Sequence, residues 1–172
     1  MMGFAQLEAG FARILELISM ALMMALVAVI TYAVLGRQVF HLPVAWSEEV
    51  GAGLLAWMVL LGSAAAWYHR RHLVIDVVLR RLNRRWLRGF CIFIEIAGLL
   101  LLVVAFWGSQ SMMRVSVHNS TTALGVSYSF LYLALVIGLG AMILFSIAQL
   151  LRLIRGDEAA LPNYESEGEW NT

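Results

Sequence analysis

Residues 17–36 read LISMALMMALVAVITYAVLG and contain neither a charged residue nor a proline. A helix of this length crosses the roughly 30 Å hydrocarbon core of a bilayer. Lipid offers backbone polar groups no outside partner, so spanning segments are helices or closed barrels, and long unalternating apolar runs are helices. Three comparable runs follow. The sequence predicts an all-α membrane protein with four transmembrane helices at about 14–35, 50–68, 90–110 and 123–151.

The overall composition agrees with a membrane protein. Of the 172 residues, 62% are hydrophobic and 13% are charged, whereas soluble domains are roughly 45–50% apolar. We expect a single four-helix transmembrane domain over residues 1–155. Residues 156–172 are acidic and have little to bury, which predicts a flexible cytoplasmic tail. The single cysteine, Cys91, excludes an intramolecular disulfide framework.

The arginines predict the orientation. All twelve basic residues are arginines, and four spans would leave only Arg37 and Arg114 on one side of the membrane. Because positively charged residues concentrate on the cytoplasmic side, both termini are expected inside and the loops at 36–49 and 109–122 outside. Ten arginines define the inner side: Arg13, Arg70, Arg71, Arg80, Arg81, Arg84, Arg85, Arg88, Arg152 and Arg155.

Two segments outside the spans have helical patterns. Residues 73–88 predict an amphipathic helix in the cytoplasmic interface, with its arginines toward anionic lipid headgroups. Nucleic-acid binding is not expected, because the arginines adjoin two membrane helices. Apolar residues also recur at helical spacing between 4 and 18. That pattern fits either an amphipathic helix on the membrane surface or an extension of the first span. The apolar face of 73–88 comprises Ile75, Val78, Leu79, Leu82 and Trp86.

The chain has no pattern typical of catalysis, so we expect neither an enzyme nor a bound cofactor or metal. Ionisable residues in spans are functional candidates because lipid makes them costly. Glu95 is the intramembrane acid of the third span, and Glu16 lies at the start of the first. Each fits either a proton path or contacts with water, an arginine or a partner subunit. No histidine is expected at mid-membrane, where a haem would be held; the four are His41, His69, His72 and His118.

One segment is more specific than composition. From Arg37 the chain reads RQVFHLPVAWSEEVGAGLLAWMVLLGSAAAWYHRRHLVIDVVL. The order and spacing of its polar and aromatic residues resemble the small membrane subunit of tripartite ATP-independent periplasmic (TRAP) transporters, the DctQ-like family. The last helix departs from that pattern, since Ser127 follows Leu124-Gly125-Val126 where members often have a proline. The matching positions are Arg37, Trp46, Ser47, Glu48, Glu49, Trp57, Gly62, His72 and Asp76.

The resemblance implies a place in a larger assembly. It implies a large membrane subunit that carries substrate by an elevator-like motion, braced by this chain, and a periplasmic binding protein that delivers the substrate. Uptake would be coupled to an ion gradient, usually sodium, and the substrate would be an organic acid. The location would be the bacterial inner membrane. Two contrasting hypotheses stay open: a stand-alone proton-coupled exporter using Glu95 or Glu16, and a haem-binding electron-transfer subunit.

The matched residues are candidates for structure or subunit contact. Trp46 is expected at the outer interface, where indoles prefer to lie. Ser47 is expected to cap the second helix, with Glu48 and Glu49 in its first turn, where carboxylates favour the helix dipole. Arg37 is expected to pair with either glutamate and fix the first hairpin. His72 and Asp76, at positions i and i+4, are expected to form a hydrogen bond on the interfacial helix.

Overall fold

The computed structural model describes residues 2–39, 41, 44–69 and 84–156. Within these ranges the chain forms four α-helices and a short 3-10 turn, Ser116–His118. Each α-helix is long and apolar enough to cross a membrane, which confirms the predicted all-helical class and the four candidate spans. The helices are α1 Met2–Val39, α2 Trp46–Tyr68, α3 Arg84–Val115 and α4 Ser129–Arg155.

The first and third helices are longer than a bilayer requires. With 38 residues, α1 is about 57 Å long. It is continuous from Met2, so the segment over 4–18 extends the first span instead of forming a separate helix. Helix α3 continues to Val115, beyond the predicted limit at 110.

The last helix begins later than the predicted span at 123. Residues 119–128 instead form a turn, in which Ser120 and Ser127 make an antiparallel bridge and the Thr121 N–H donates to the Val126 carbonyl at 2.8 Å. Gly125 has φ +67°, a left-handed conformation that a residue with a side chain rarely adopts. This segment has no charged residue, so the sequence predicted that it belongs to the membrane helix. Its hydrogen bonds show that it is a loop.

The helices pack in the order α1, α2, α4, α3, so that α2 and α4 are central. We call the end with the connections 40–45 and 116–128 the hairpin end. The opposite end holds residue 69, the start of α1, the start of α3 and the end of α4. We call it the termini end. The buried core lies mainly between α2 and α4 and includes Leu61, Ala64, Ala65, Leu139, Met142 and Phe145.

Small residues set the distance between the two central helices. A Cβ atom added at Gly138 of α4 would lie 3.0 Å from both the Cβ and the carbonyl oxygen of Leu60 in α2. Such close approach of backbones is typical of helix packing in membranes. Gly62 faces α1 less closely, since an added Cβ would lie 3.5 Å from the Ser19 hydroxyl oxygen, an ordinary van der Waals distance.

Some predicted features lie outside the described residues. These are most of the interfacial helix over 73–88, the pair His72 and Asp76, and the acidic tail beyond Gly156. The end of the predicted interfacial segment is described, and there the prediction differs from the structure. Residues 84–88 are the first residues of α3, because the helix continues without a break into the third span.

Candidate functional site at the two ends of the bundle

At the hairpin end, the first ion pair joins α1 to α2. Arg37 in the last turn of α1 lies 3.4 Å from the Glu48 carboxylate in the first turn of α2, measured from Nη2 to Oε1. Both side chains are largely exposed, at 62% and 77%. Of the two glutamates predicted as partners, Arg37 therefore pairs with Glu48.

The expected cap of α2 by Ser47 is wrong. The N-cap position is Ala45, and it makes no side-chain cap. Ser47 is buried within the first turn, and its hydroxyl donates to the Val44 carbonyl at 2.6 Å. A serine inside the helix lies past the position from which its oxygen would accept the free N–H groups, so it bonds back to the preceding turn. Trp46 begins the helix and packs beside Tyr32 of α1, with ring centroids 6.1 Å apart.

Glu49 joins the two hairpins. Its carboxylate accepts hydrogen bonds from the backbone N–H groups of Ala123 at 2.7 Å and Leu124 at 2.8 Å. The Thr122 hydroxyl donates to the same carboxylate at 3.2 Å. Successive backbone N–H groups in a turn form a concave site for an anion, and the glutamate occupies that site. The sequence did not predict this contact, because it indicated Glu49 only as a first-turn carboxylate of α2 and as a candidate partner of Arg37.

Trp57 and Gly62, also matched to the family pattern, lie in helix packing. The Trp57 ring packs against Phe130 of α4, with centroids 5.2 Å apart. Its indole nitrogen is buried and has no hydrogen-bond partner among the described residues, as is true of the Ser19 hydroxyl near Gly62. Trp57 and Gly62 therefore stabilise the bundle through close packing more than through hydrogen bonds.

At the termini end, two carboxylates of α1 bind other helices. Glu16 lies 2.7 Å from His69 at the end of α2, measured from Oε1 to Nε2. Glu8 pairs with Arg152 of α4, and its side chain is mostly buried. Glu16, one of the two candidates for a proton path, is thus engaged in a contact between α1 and α2.

Two further contacts join α3 to α4 in the half of the bundle nearest this end. The Ser146 hydroxyl, fully buried, donates to the Glu95 carboxylate at 2.6 Å. Arg88 donates to the Leu153 carbonyl from Nε at 2.9 Å and from Nη2 at 2.6 Å, and to the Ile154 carbonyl at 2.9 Å. The last carbonyls of a helix have no partner within it, and the guanidinium satisfies two of them in α4.

The role of Arg88 was not predicted, since the sequence counted it only among the inner arginines. The position of Arg88 in the sequence does indicate a contact with the end of another helix. It is the last arginine before the third apolar run, at the level where an antiparallel neighbour would end with free carbonyls. Which helix would be that neighbour is a matter of packing order, which the local sequence does not carry.

The described ion pairs and the hydrogen bonds of Glu49, Arg88 and Glu95 each join a helix to another helix or to a loop. No group of three or more His, Cys, Asp or Glu side chains able to hold a metal ion occurs in the described part of the chain. His41 and His118 lie at the hairpin end and His69 at the other, while His72 is outside the described ranges. Four apolar helices joined by polar contacts near both ends define a membrane scaffold.

Comparisons with known proteins identify the family to which this scaffold belongs. The chain matches the family described as "Tripartite ATP-independent periplasmic transporters, DctQ component" over residues 26–156. It is 30% identical over 146 residues to the sialic acid TRAP transporter small permease protein SiaQ of Vibrio cholerae, covering 82% of this chain and 83% of the relative. It is 24% identical over 134 residues to a TRAP transporter small permease of Haemophilus influenzae, covering 78% of this chain and 81% of that relative.

The chain belongs to the DctQ family of TRAP transporter small permease subunits. It is thus a multi-pass membrane protein and a transporter subunit, not an enzyme. A tripartite transporter implies partner subunits, a large permease and a periplasmic binding protein. The matched residues cover the last part of α1 and all of α2, α3 and α4, and they stop at Gly156, where the acidic tail begins.

Proposed function

We propose that this chain braces the large permease subunit during ion-coupled uptake of an organic acid delivered by a periplasmic binding protein, with sodium as the coupling ion. One observation carries the proposal: the described ion pairs and the hydrogen bonds of Glu49 lie near the ends of the bundle. Glu95, further along α3, is hydrogen-bonded to Ser146 of α4. Contacts at both ends resist sliding and splaying of the helices. A scaffold that stays fixed while another subunit moves needs that resistance.

The central parts of the helices support the same proposal. Between residues 17 and 36, 50 and 68, 96 and 113, and 121 and 151, the sequence has no charged residue. Coupling ions and charged substrates are bound in membranes by ionisable or polar groups near mid-depth. Substrate and ion binding are therefore assigned to the large subunit, and this chain supplies structure.

The substrate class follows from the partners and not from this chain. The V. cholerae relative is named for sialic acid, which is an organic acid. At 30% identity, with substrate recognition placed in other subunits, we extend only the class of organic acids to this transporter. Reconstituted uptake of a panel of carboxylates by the complete complex identifies the member.

We propose that the termini end faces the cytoplasm of a bacterial inner membrane. Arg13, Arg88, Arg152 and Arg155 lie at that end, whereas Arg37 and Arg114 lie at the hairpin end. The arginine-rich segment 70–85 would then meet anionic headgroups. A membrane-impermeant maleimide should label Asn119→Cys but not Ser166→Cys in intact spheroplasts, in a Cys91→Ser background. Labelling of Ser166→Cys but not of Asn119→Cys would show the opposite orientation.

The decisive experiment measures assembly with the large subunit. Glu49→Gln retains the size of the side chain but weakens three hydrogen bonds to the 122–124 turn. Glu48→Gln is the matched control, because Glu48 has one long contact and is more exposed. We expect Glu49→Gln to reduce copurification of the large subunit and uptake by the complex, with normal membrane insertion. Glu48→Gln should have a smaller effect. If the double variant Glu48→Ala/Glu49→Ala retains both properties in full, these residues do not support assembly.

Reconstitution separates the proposal from its alternatives. Liposomes that contain this chain alone should take up no organic acid, and adding the large subunit and binding protein should restore sodium-dependent uptake. Proton-driven export by the chain alone would support the exporter hypothesis, with Glu16→Gln and Glu95→Gln as its loss-of-function variants. A Soret band in the purified chain would support the haem hypothesis.

A further inference from the structure

A groove lies between α1 and α2 in the half of the bundle nearest the hairpin end. Its volume is about 540 Å³, and its lining is mostly apolar. From Leu26 to Arg37 it follows α1 for about 17 Å, more than half of the hydrocarbon thickness. On the α2 side it is lined by the small residues Gly51 and Ala52, with Leu55 below them.

The rim of the groove is polar, and its pairing among the described residues is incomplete. Arg37, Gln38 and Glu48 form it at the hairpin end. A guanidinium has five N–H donors, and the described contact of Arg37 with Glu48 uses one of its nitrogens at 3.4 Å. The remaining donors suit backbone carbonyls or a carboxylate. The carbonyls at the C-terminal end of a helix carry partial negative charge and complement this cation.

The opposite edge of the bundle has a different surface. Helix α3 exposes a continuous ridge of bulky side chains, in which Phe93, Leu100, Val104 and Trp107 are 65–75% exposed. Fluid lipid acyl chains can pack against such a ridge. The α1–α2 face also exposes bulky side chains, such as Ile30 and Val34. It differs from α3 in having a recess, small residues that permit close backbone approach, and an exposed ion pair, which suit contact with protein.

We propose that the α1–α2 groove seats a transmembrane helix of the large permease subunit, whose C-terminal turn lies at the hairpin end and supplies acceptors to Arg37. This inference rests on the proposed function, because it takes the large subunit as the partner. It goes further by assigning the face: α1 and α2 contact the large subunit, and the α3 ridge faces lipid. Bulky side chains of the partner helix fill the space beside Gly51 and Ala52.

Filling the groove tests the assignment. Ala52→Trp places an indole in the recess, while Ala97→Trp makes the same change at an exposed alanine of α3. Copurification of the tagged large subunit should fall about tenfold or more for Ala52→Trp, because overpacking an interface is costly. It should stay near wild type for Ala97→Trp. Equal retention by the two variants, or greater loss with Ala97→Trp, overturns the assignment.

A crosslinking measurement decides the matter even if Ala52→Trp fails to fold. A photoreactive amino acid replaces the exposed Leu55 in otherwise unchanged complex. An adduct with the large subunit supports the proposal, whereas adducts only with lipid or with a second copy of this chain overturn it. If the unmodified chain copurifies with the large subunit but does not crosslink from Leu55, the face is wrong and the proposed function stands. If it does not copurify at all, both fail.

Discussion

At Gly138 the two central helices approach each other closely, and replacing this glycine with alanine should separate them. The new Cβ would lie 3.0 Å from the Leu60 carbonyl oxygen and 3.2 Å from the Leu60 carbonyl carbon. These are backbone atoms, so no flexible side chain can move aside. To reach ordinary van der Waals distance, α2 and α4 must move apart locally by about 0.5 to 1 Å.

The size of the effect follows from the cost of overpacking. Adding a methyl group to a well-packed site costs about 1 to 3 kcal/mol. For a chain of this length, that loss corresponds to a decrease in melting temperature of about 2 to 12 °C. Separation also shifts α2 relative to the 122–124 turn that Glu49 binds, so the Gly138→Ala variant should bind the large subunit less well.

Gly140→Ala provides the matched control on the same helix. A Cβ there would lie 3.7 Å from Cε2 of Phe106, an ordinary contact with a side chain. Both substitutions carry the same change in intrinsic helix propensity, so the difference between them isolates the contact with Leu60. The measurement is thermal unfolding of each purified variant in the same detergent. If Gly138→Ala proves as stable as Gly140→Ala, the close packing of α2 on α4 is not as described.

Two further predictions concern the termini end. Arg88→Gln should destabilise the protein by about 1 to 3 kcal/mol because two carbonyls of α4 lose a charged donor, whereas the exposed Arg155→Gln should change stability little; chemical unfolding in detergent compares them. Ser146→Ala should destabilise by a similar amount because it leaves the Glu95 carboxylate without its described donor. Adding Glu95→Leu to Ser146→Ala should recover much of that loss in the same assay, and no recovery would mean that the serine contributes by packing alone.

The sequence predicted the four helices because the bilayer imposes a simple requirement. Any segment that crosses lipid must be apolar and internally hydrogen-bonded over about 20 residues. It also limited Arg37 to two carboxylate partners, since the residues at 37, 48 and 49 lie on either side of one short connection. Both predictions depend on local information.

The contacts that the sequence did not reveal depend on the order in which helices pack. Glu49 binds a turn more than seventy positions later, and Arg88 binds carbonyls at the far end of the chain's last helix. Backbone N–H and C=O groups occur at every residue, so no side-chain pattern marks them as partners. The sequence also did not predict that α4 begins only at Ser129. Residues 119–128 are uncharged, and the absence of charge does not distinguish a hydrogen-bonded turn from a helix.

Polar contacts near each end of the bundle join different pairs of helices. Near the hairpin end Arg37 joins α1 to α2, and Glu49 joins α2 to the turn before α4. Near the other end Glu16 joins α1 to α2, while Arg88 joins α3 to α4. Since mid-membrane packing is apolar, it resists separation but has little directional preference, whereas hydrogen bonds at fixed atoms resist sliding and rotation. A bundle fixed in this way keeps its outer surface constant, and a constant surface is what a large subunit in motion needs from the subunit beside it.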